Sequence, residues 1–78
     1  MEIYYMDIKA KLGKRIKELR QQQKMTQESL GFKSKLDRTY INGIENGRRN
    51  VALINIHKIA KALDVSLAEL FKSDVFNK

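Results

Sequence analysis

The chain has 78 residues and carries 16 lysines and arginines against 9 acidic residues, for a formal net charge of +7. A chain of this length holds one domain, which we place at residues 1–78 with a core at about 8–72. The absence of cysteine excludes disulfides and thiolate metal sites. The longest apolar run, residues 51–54, is too short for a bilayer, so we expect a cytoplasmic protein without a membrane partner. Excess positive charge on so small a domain favours a polyanionic partner.

The sequence lacks proline and is rich in good helix formers, which predicts an all-α fold. Between Asp7 and Gln23, apolar residues recur at steps of three and four, with lysines and arginines between them. The apolar positions are Ile8, Leu12, Ile16 and Leu19. This spacing predicts a first helix, strongly basic, with one buried stripe.

Two short helices are predicted next, separated by a turn. Thr26 is a good N-cap, and the second helix is expected over residues 27–33. The turn is expected at 34–36, and Asp37 is the predicted N-cap of a third helix over 38–46. Such a pair of short helices is typical of a helix-turn-helix.

The second half of the chain predicts two further helices. Asn46–Gly47 ends the third helix, and residues 48–50 form a basic, polar loop. A fourth helix is expected over Ala52–Leu63, with Leu53, Ile56, Ile59, Ala60 and Leu63 facing inward. A capping-box pattern at Ser66–Glu69 opens a fifth helix that runs to Phe71.

The predicted third helix has an apolar back and a polar front. Ile41 and Ile44 should face the core, whereas Gly43 should open the exposed side. The polar side chains on that side are Arg38, Thr39 and Asn42. Because a major groove accepts the N-terminal end of a recognition helix, this front is a candidate for reading base edges.

Five segments carry a family resemblance. They are residues 12–20 (LGKRIKELR), 25–30 (MTQESL), 37–48 (DRTYINGIENGR), 59–63 (IAKAL) and 66–71 (SLAELF). Together they resemble the Cro/phage-repressor (Xre-type) helix-turn-helix family, and residues 36–41 and 48–50 are most similar to restriction–modification controller proteins. The resemblance implies a compact five-helix, lambda-repressor-like DNA-binding domain with the helix-turn-helix at helices 2 and 3.

The resemblance also implies roles for individual residues. Arg38 corresponds to a base reader, suited to guanine, and Thr39 corresponds to the next reader. The DNA-backbone positions that it implies are Arg20, Thr26, Gln27, Asn46, Arg48 and Asn50. Arg20 also matches one half of a partly buried ion pair with Glu45, so a purely structural role remains its alternative.

Two further residues are candidates for contacts with the DNA backbone because of their positions in the sequence. Tyr40 stands near a phosphate or sugar, or packs against helix 2. Arg49 contacts a phosphate, or is a solvated charge.

The sequence departs from the family pattern at three positions. Gly31 replaces the usual alanine, Lys35 replaces the glycine of the turn, and Ala52 replaces a serine cap. A lysine in a left-handed turn costs about 1 kcal/mol. These changes affect the expected stability rather than the reading face.

A second candidate surface is apolar. Ile54 should point to solvent, and with neighbours on the last two helices it forms an apolar patch, which marks an interface. The patch comprises Val51, Ile54, Leu67, Phe71 and Val75. We expect a homodimer, because one short recognition helix reads too few base pairs for useful selectivity.

The predicted function is a homodimeric, sequence-specific regulator that binds double-stranded operator DNA upstream of its own gene. Two dimers on one operator, and RNA polymerase, are the further expected partners. An antitoxin, a phage-type repressor and a protein-interaction module are the alternatives. We expect no enzyme, since no catalytic constellation can be assembled, and no cofactor or metal, since His57 has no second ligand at helical spacing.

Overall fold

The computed structural model describes residues 7–77, and within that range all regular structure is helical. The helices are α1 (Ile8–Gln22), α2 (Gln27–Ser34), α3 (Arg38–Glu45), α4 (Leu53–Ala62) and α5 (Leu67–Leu70), followed by a 3₁₀ turn at Asp74–Asn77. The predicted five-helix, all-α fold is therefore confirmed, with helix ends within two residues of expectation. The ends of the predicted domain, residues 1–6 and 78, lie outside the described residues.

Side-chain caps start three of the helices. Asp7 accepts from the Ala10 N–H at 2.9 Å, and Thr26 accepts from the Ser29 N–H at 2.9 Å. Ser66 and Glu69 form the reciprocal capping box that the sequence predicts. Asp37 occupies the N-cap of α3, as predicted, although its side chain makes no capping hydrogen bond.

One hydrophobic core joins α1 to α5. Its fully buried large side chains are Ile16, Leu30, Ile41, Ile44, Ile59, Leu63 and Leu70. The prediction that Leu53 faces this core is wrong, because 70% of the residue is exposed. Leu53 is the first residue of α4, and its side chain stays outside the core, although its position on the helical wheel matches the buried stripe.

Close backbone contacts fix α1 against α3. A Cβ atom on Gly13 would lie 2.2 Å from the carbonyl oxygen of Ile44, so only glycine permits this approach. Gly47 follows the C-cap of α3, has φ +73° and lies against Ala10. The turn between α2 and α3 contains Lys35 at φ 61°, which is the left-handed conformation expected for that position.

Arg15 ties α1 to the end of α5. Its Nε donates to the carbonyl oxygen of Leu70 at 2.8 Å, and its Nη2 donates to that of Glu69 at 2.8 Å. A cation at a helix C-terminus also complements the helix dipole. In residues 7–77, no helix combines the length and the apolar character that a membrane crossing requires.

Candidate nucleic-acid interface

The start of α3 presents the predicted base-reading side chains together. Arg38 and Thr39 are exposed in its first turn, and Asn42 is partly buried one turn later. With Gln27 from the start of α2, these three residues line an open concavity of about 310 Å³. The structure therefore assembles one polar face from the first turns of α2 and α3.

A buried ion pair lies behind this face. Arg20 Nε donates to Glu45 Oε2 at 2.6 Å, and Nη2 donates to Oε1 at 2.9 Å. The third contact is Arg20 Nη1 to the carbonyl oxygen of Met25 at 2.7 Å. The hydrogen bond with Glu45 raises the pKa of the Arg20 guanidinium above its usual range. The predicted ion pair is present, and since its side chains are only 10% and 2% exposed, the structural role of Arg20 is favoured.

Glu45 also begins a chain of polar side chains that reaches the loop after α3. Gln27 Nε2 donates to Glu45 Oε1 at 3.1 Å, and Asn42 Nδ2 donates to Gln27 Oε1 at 3.2 Å. Asn42 Oδ1 accepts from Asn46 Nδ2 at 3.2 Å and from Arg48 Nη2 at 3.3 Å. The chain links residues of α2, α3 and the loop, and its connection to Glu45 was not apparent from the sequence.

The basic loop folds back over α3. The Arg49 guanidinium lies 5.2 Å from the centre of the Tyr40 ring, and its side chain covers Gly43. Gly43 is consequently buried, and the expectation that it opens the exposed side is wrong. Tyr40 is partly buried against the core and accepts from Asn55 Nδ2 through its hydroxyl at 3.1 Å.

The remaining predicted backbone positions surround the polar face. Arg48, Arg49 and Asn50 are exposed in the loop after α3, together with Asn46 at its C-terminus. Thr26 is exposed at the N-terminus of α2, where free backbone N–H groups and the helix dipole favour an anion. The N-terminus of α2 and the loop after α3 therefore both offer exposed hydrogen-bond donors that suit a phosphate backbone.

Large apolar side chains are exposed elsewhere. Ile54 is 60% exposed and Phe71 is 40% exposed, as the sequence predicted. Leu67 is also exposed, whereas Val51 and Val75 are partly buried. Leu53 adds to the exposed apolar surface of α4, although the helical pattern of the sequence placed it in the core.

Comparison with known proteins agrees with this geometry. A family model described as helix-turn-helix matches residues 16–70. The control protein C.MunI of a Mycoplasma species is 47% identical over 70 residues, which cover 88% of this chain and 93% of that protein.

Solved structures give the same result. The restriction–modification controller protein C.AhdI of Aeromonas hydrophila superposes with a TM-score of 0.79 at 51% identity, covering 81% of this chain and 96% of that one. The controller protein C.Esp1396I, as a tetramer in complex with its natural 35 base-pair operator, gives a TM-score of 0.83 at 38% identity, covering 94% and 95%. Fold and polar face thus define a DNA-binding helix-turn-helix domain. The chain belongs to the helix-turn-helix family and, within it, to the restriction–modification controller proteins.

Proposed function

We propose that the protein is a homodimeric controller of a restriction–modification system, which binds an operator upstream of its own gene and regulates transcription there. One observation carries the proposal. Arg38, Thr39 and Asn42 stand together on the first turns of α3, with a basic loop beside them. The proposal includes a DNA-binding role without catalysis. It also includes a location in the cytoplasm, where the operator is.

Within the major groove, Arg38 selects bases by bidentate donation to guanine O6 and N7. Thr39 contacts the next base pair through its methyl or hydroxyl group, and Asn42 contacts the one after. Phosphates are held by Thr26, Gln27, Tyr40, Asn46, Arg48, Arg49 and Asn50. Arg20 acts from behind, since its ion pair with Glu45 holds α1 and α3 together. Phosphate contacts supply most of the affinity, and base contacts supply selection.

The dimer would form through the exposed apolar residues of α4 and α5. Val51, Ile54, Leu67, Phe71 and Val75 belong to this surface, and the exposure of Leu53 adds it to the set. Burying such side chains supplies roughly 25 cal/mol for each Å² of apolar surface removed from water. A two-fold dimer then places two α3 helices on half-sites about 10 bp apart.

Regulation would follow from protein concentration. One dimer occupies the operator at low concentration, and a second dimer binds beside it as the protein accumulates. Low occupancy activates transcription in contact with RNA polymerase, and high occupancy represses it. C.Esp1396I has been seen as a tetramer on its 35 base-pair operator, which supports this arrangement.

The test compares Arg38→Ala with wild type on two duplexes, the DNA upstream of the gene and a scrambled duplex of equal composition. Fluorescence anisotropy should show a loss of about 1–3 kcal/mol on the upstream DNA, with a much smaller loss on the scrambled one. Lys61→Ala, which removes an exposed charge from α4, is the matched control and should keep the preference. Wild-type protein that binds both duplexes equally would refute the function; equal losses for Arg38→Ala would refute only its role.

A further inference from the structure

Glu45, Gln27, Asn42 and Arg48 form a series of hydrogen-bonded side chains, in which each side chain donates to the neighbour nearer Glu45. An ionised carboxylate accepts hydrogen bonds and cannot donate, so the Gln27 atom that faces Glu45 has to be its NH₂ group. The Gln27 oxygen then faces Asn42, which in turn presents its own NH₂ group. At the other end, the Arg48 guanidinium can only donate, and it requires the Asn42 oxygen to face it. Both ends of the chain therefore impose the same orientation on the Asn42 amide.

A count of hydrogen bonds shows which donor and acceptor positions of the Asn42 amide remain free. Its oxygen has two acceptor positions, and these take the hydrogen bonds from Asn46 and Arg48. One N–H of its NH₂ group is directed to Gln27. A second N–H remains, and Asn42 lines the concavity together with Arg38 and Thr39.

The clamp on the oxygen is compatible with bound DNA. Asn46 is also fixed by a bond from its Nδ2 to the backbone oxygen of Asn42 at 2.9 Å. Arg48 spends only one of its N–H groups on Asn42, which leaves the others of the guanidinium for a phosphate. The bonds that saturate the Asn42 oxygen and the proposed phosphate contacts of the loop can therefore coexist.

We propose that Glu45, acting through Gln27, orients the Asn42 amide so that Asn42 offers the DNA one hydrogen-bond donor and no acceptor. Glu45 is thus a positioning residue for base selection, in addition to its ion pair with Arg20. The inference rests on the proposed function, because it assumes that α3 lies in a major groove.

A single donor selects bases in a characteristic way. Guanine, adenine and thymine each present an acceptor in the major groove, through N7, O6 or O4, whereas cytosine presents the N4 donor. An unconstrained asparagine donates to adenine N7 and accepts from adenine N6 at the same time. Asn42 has no free acceptor for the second bond, so adenine gains no advantage over guanine or thymine. Cytosine alone is disfavoured.

The first experiment measures this profile on the full-length protein. The Asn42 position of the operator is located as the base pair whose preference disappears in Asn42→Ala. All four bases are then placed there, and dissociation constants are measured by anisotropy at fixed salt. Guanine, adenine and thymine should differ by less than about threefold, and cytosine should bind about tenfold more weakly. An advantage of about tenfold for adenine, or equal binding of cytosine, would overturn the inference.

The second experiment interrupts the series of hydrogen-bonded side chains at Gln27, and it leaves the ion pair between Arg20 and Glu45 in place. Gln27→Met breaks the link between Glu45 and Asn42. It is introduced together with Arg48→Ala, because Arg48 would otherwise still fix the Asn42 oxygen, and the cytosine penalty of the double variant should fall from about tenfold to below about threefold. Arg48→Ala alone keeps the link to Glu45 and should show a larger penalty than the double variant. Overall affinity also falls with the lost phosphate contact, but the ratio between bases reads orientation alone. Gln21→Met, at an exposed position of α1, is the control and should keep the penalty.

The outcomes separate the inference from the proposed function. A penalty in the double variant as large as in Arg48→Ala alone shows that Glu45 does not orient Asn42, while sequence-specific binding stands. A wild-type protein without any preferred duplex removes the proposed function itself. Circular dichroism of each variant confirms that the helices are retained, so a changed profile reports on recognition.

Discussion

The contact between Gly13 and the end of α3 leaves no room for a methyl group. In Gly13→Ala, the new Cβ would lie 2.2 Å from the Ile44 carbonyl oxygen and 2.8 Å from that of Glu45, whereas ordinary contacts begin at 3.4 Å. Since both atoms belong to the backbone, α1 and α3 have to separate by about 1.2 Å, the difference between 3.4 and 2.2 Å. Overpacking of this kind costs about 1–3 kcal/mol, and more where neighbouring contacts stretch.

Helix propensity acts in the opposite direction, because alanine in place of an interior glycine gains about 1 kcal/mol. The separation also stretches the Arg20–Glu45 bonds of 2.6 and 2.9 Å, so we expect the cost to lie at or above the upper part of that range. The net loss is about 2 kcal/mol, from a total stability of roughly 4–12 kcal/mol for a chain of this length. A loss of this size lowers Tm by about 8–16 °C.

Urea unfolding followed by circular dichroism, at one fixed protein concentration, measures this loss. Gly43→Ala is the matched control, since its Cβ would meet the side chain of Arg49 at 3.1 Å, and a flexible side chain can move. It should be neutral or stabilising by up to about 1 kcal/mol. Equal stability of Gly13→Ala and wild type, or equal losses in both variants, would refute the steric reasoning.

Three further predictions concern DNA affinity, assembly and pH. Arg48→Ala should weaken binding to both operator and scrambled DNA, and should reduce the slope of log K against log salt by about one; an unchanged slope would remove Arg48 from the phosphate contacts. Ile54→Glu should yield monomers in sedimentation, whereas Phe32→Glu, at an exposed position of α2, should keep the dimer mass. Hydrogen bonds from Ser66 hold the pKa of Glu69 below its ordinary 4.5. The stabilisation is therefore present above pH 4.5 and is lost as pH falls through the lowered pKa. Glu69→Gln does not titrate, so it should melt below wild type at neutral pH and converge with it in acid; a constant difference would contradict this.

Local signals in the sequence were sufficient for the helices and most of the polar face. Thr26 and the Ser66–Glu69 pair are short-range caps, whose hydrogen bonds span three residues and do not depend on the rest of the fold. Arg38 and Thr39 are exposed because Ile41 and Ile44 on the same helix face the core. Periodicity alone decides such an arrangement.

The misplaced residues depend on neighbours that the sequence does not specify locally. Leu53 fits the buried stripe of α4, but at the first position of that helix its side chain is left exposed. Gly43 is buried by Arg49, a long side chain whose direction follows from the fold of the loop. The link from Glu45 through Gln27 to Asn42 joins α3 to α2 and returns, so no spacing along one helix predicts it.

The contacts of Arg15 affect which distance between two half-sites a dimer can bind. Arg15 belongs to α1, which packs on α3, and its guanidinium holds the last carbonyl groups of α5. In a dimer joined through α4 and α5, these contacts connect the dimer surface to the helix that packs on the recognition helix of each subunit. The two subunits then hold their recognition helices at a fixed separation, and the insertion of one base pair between the half-sites should be poorly tolerated.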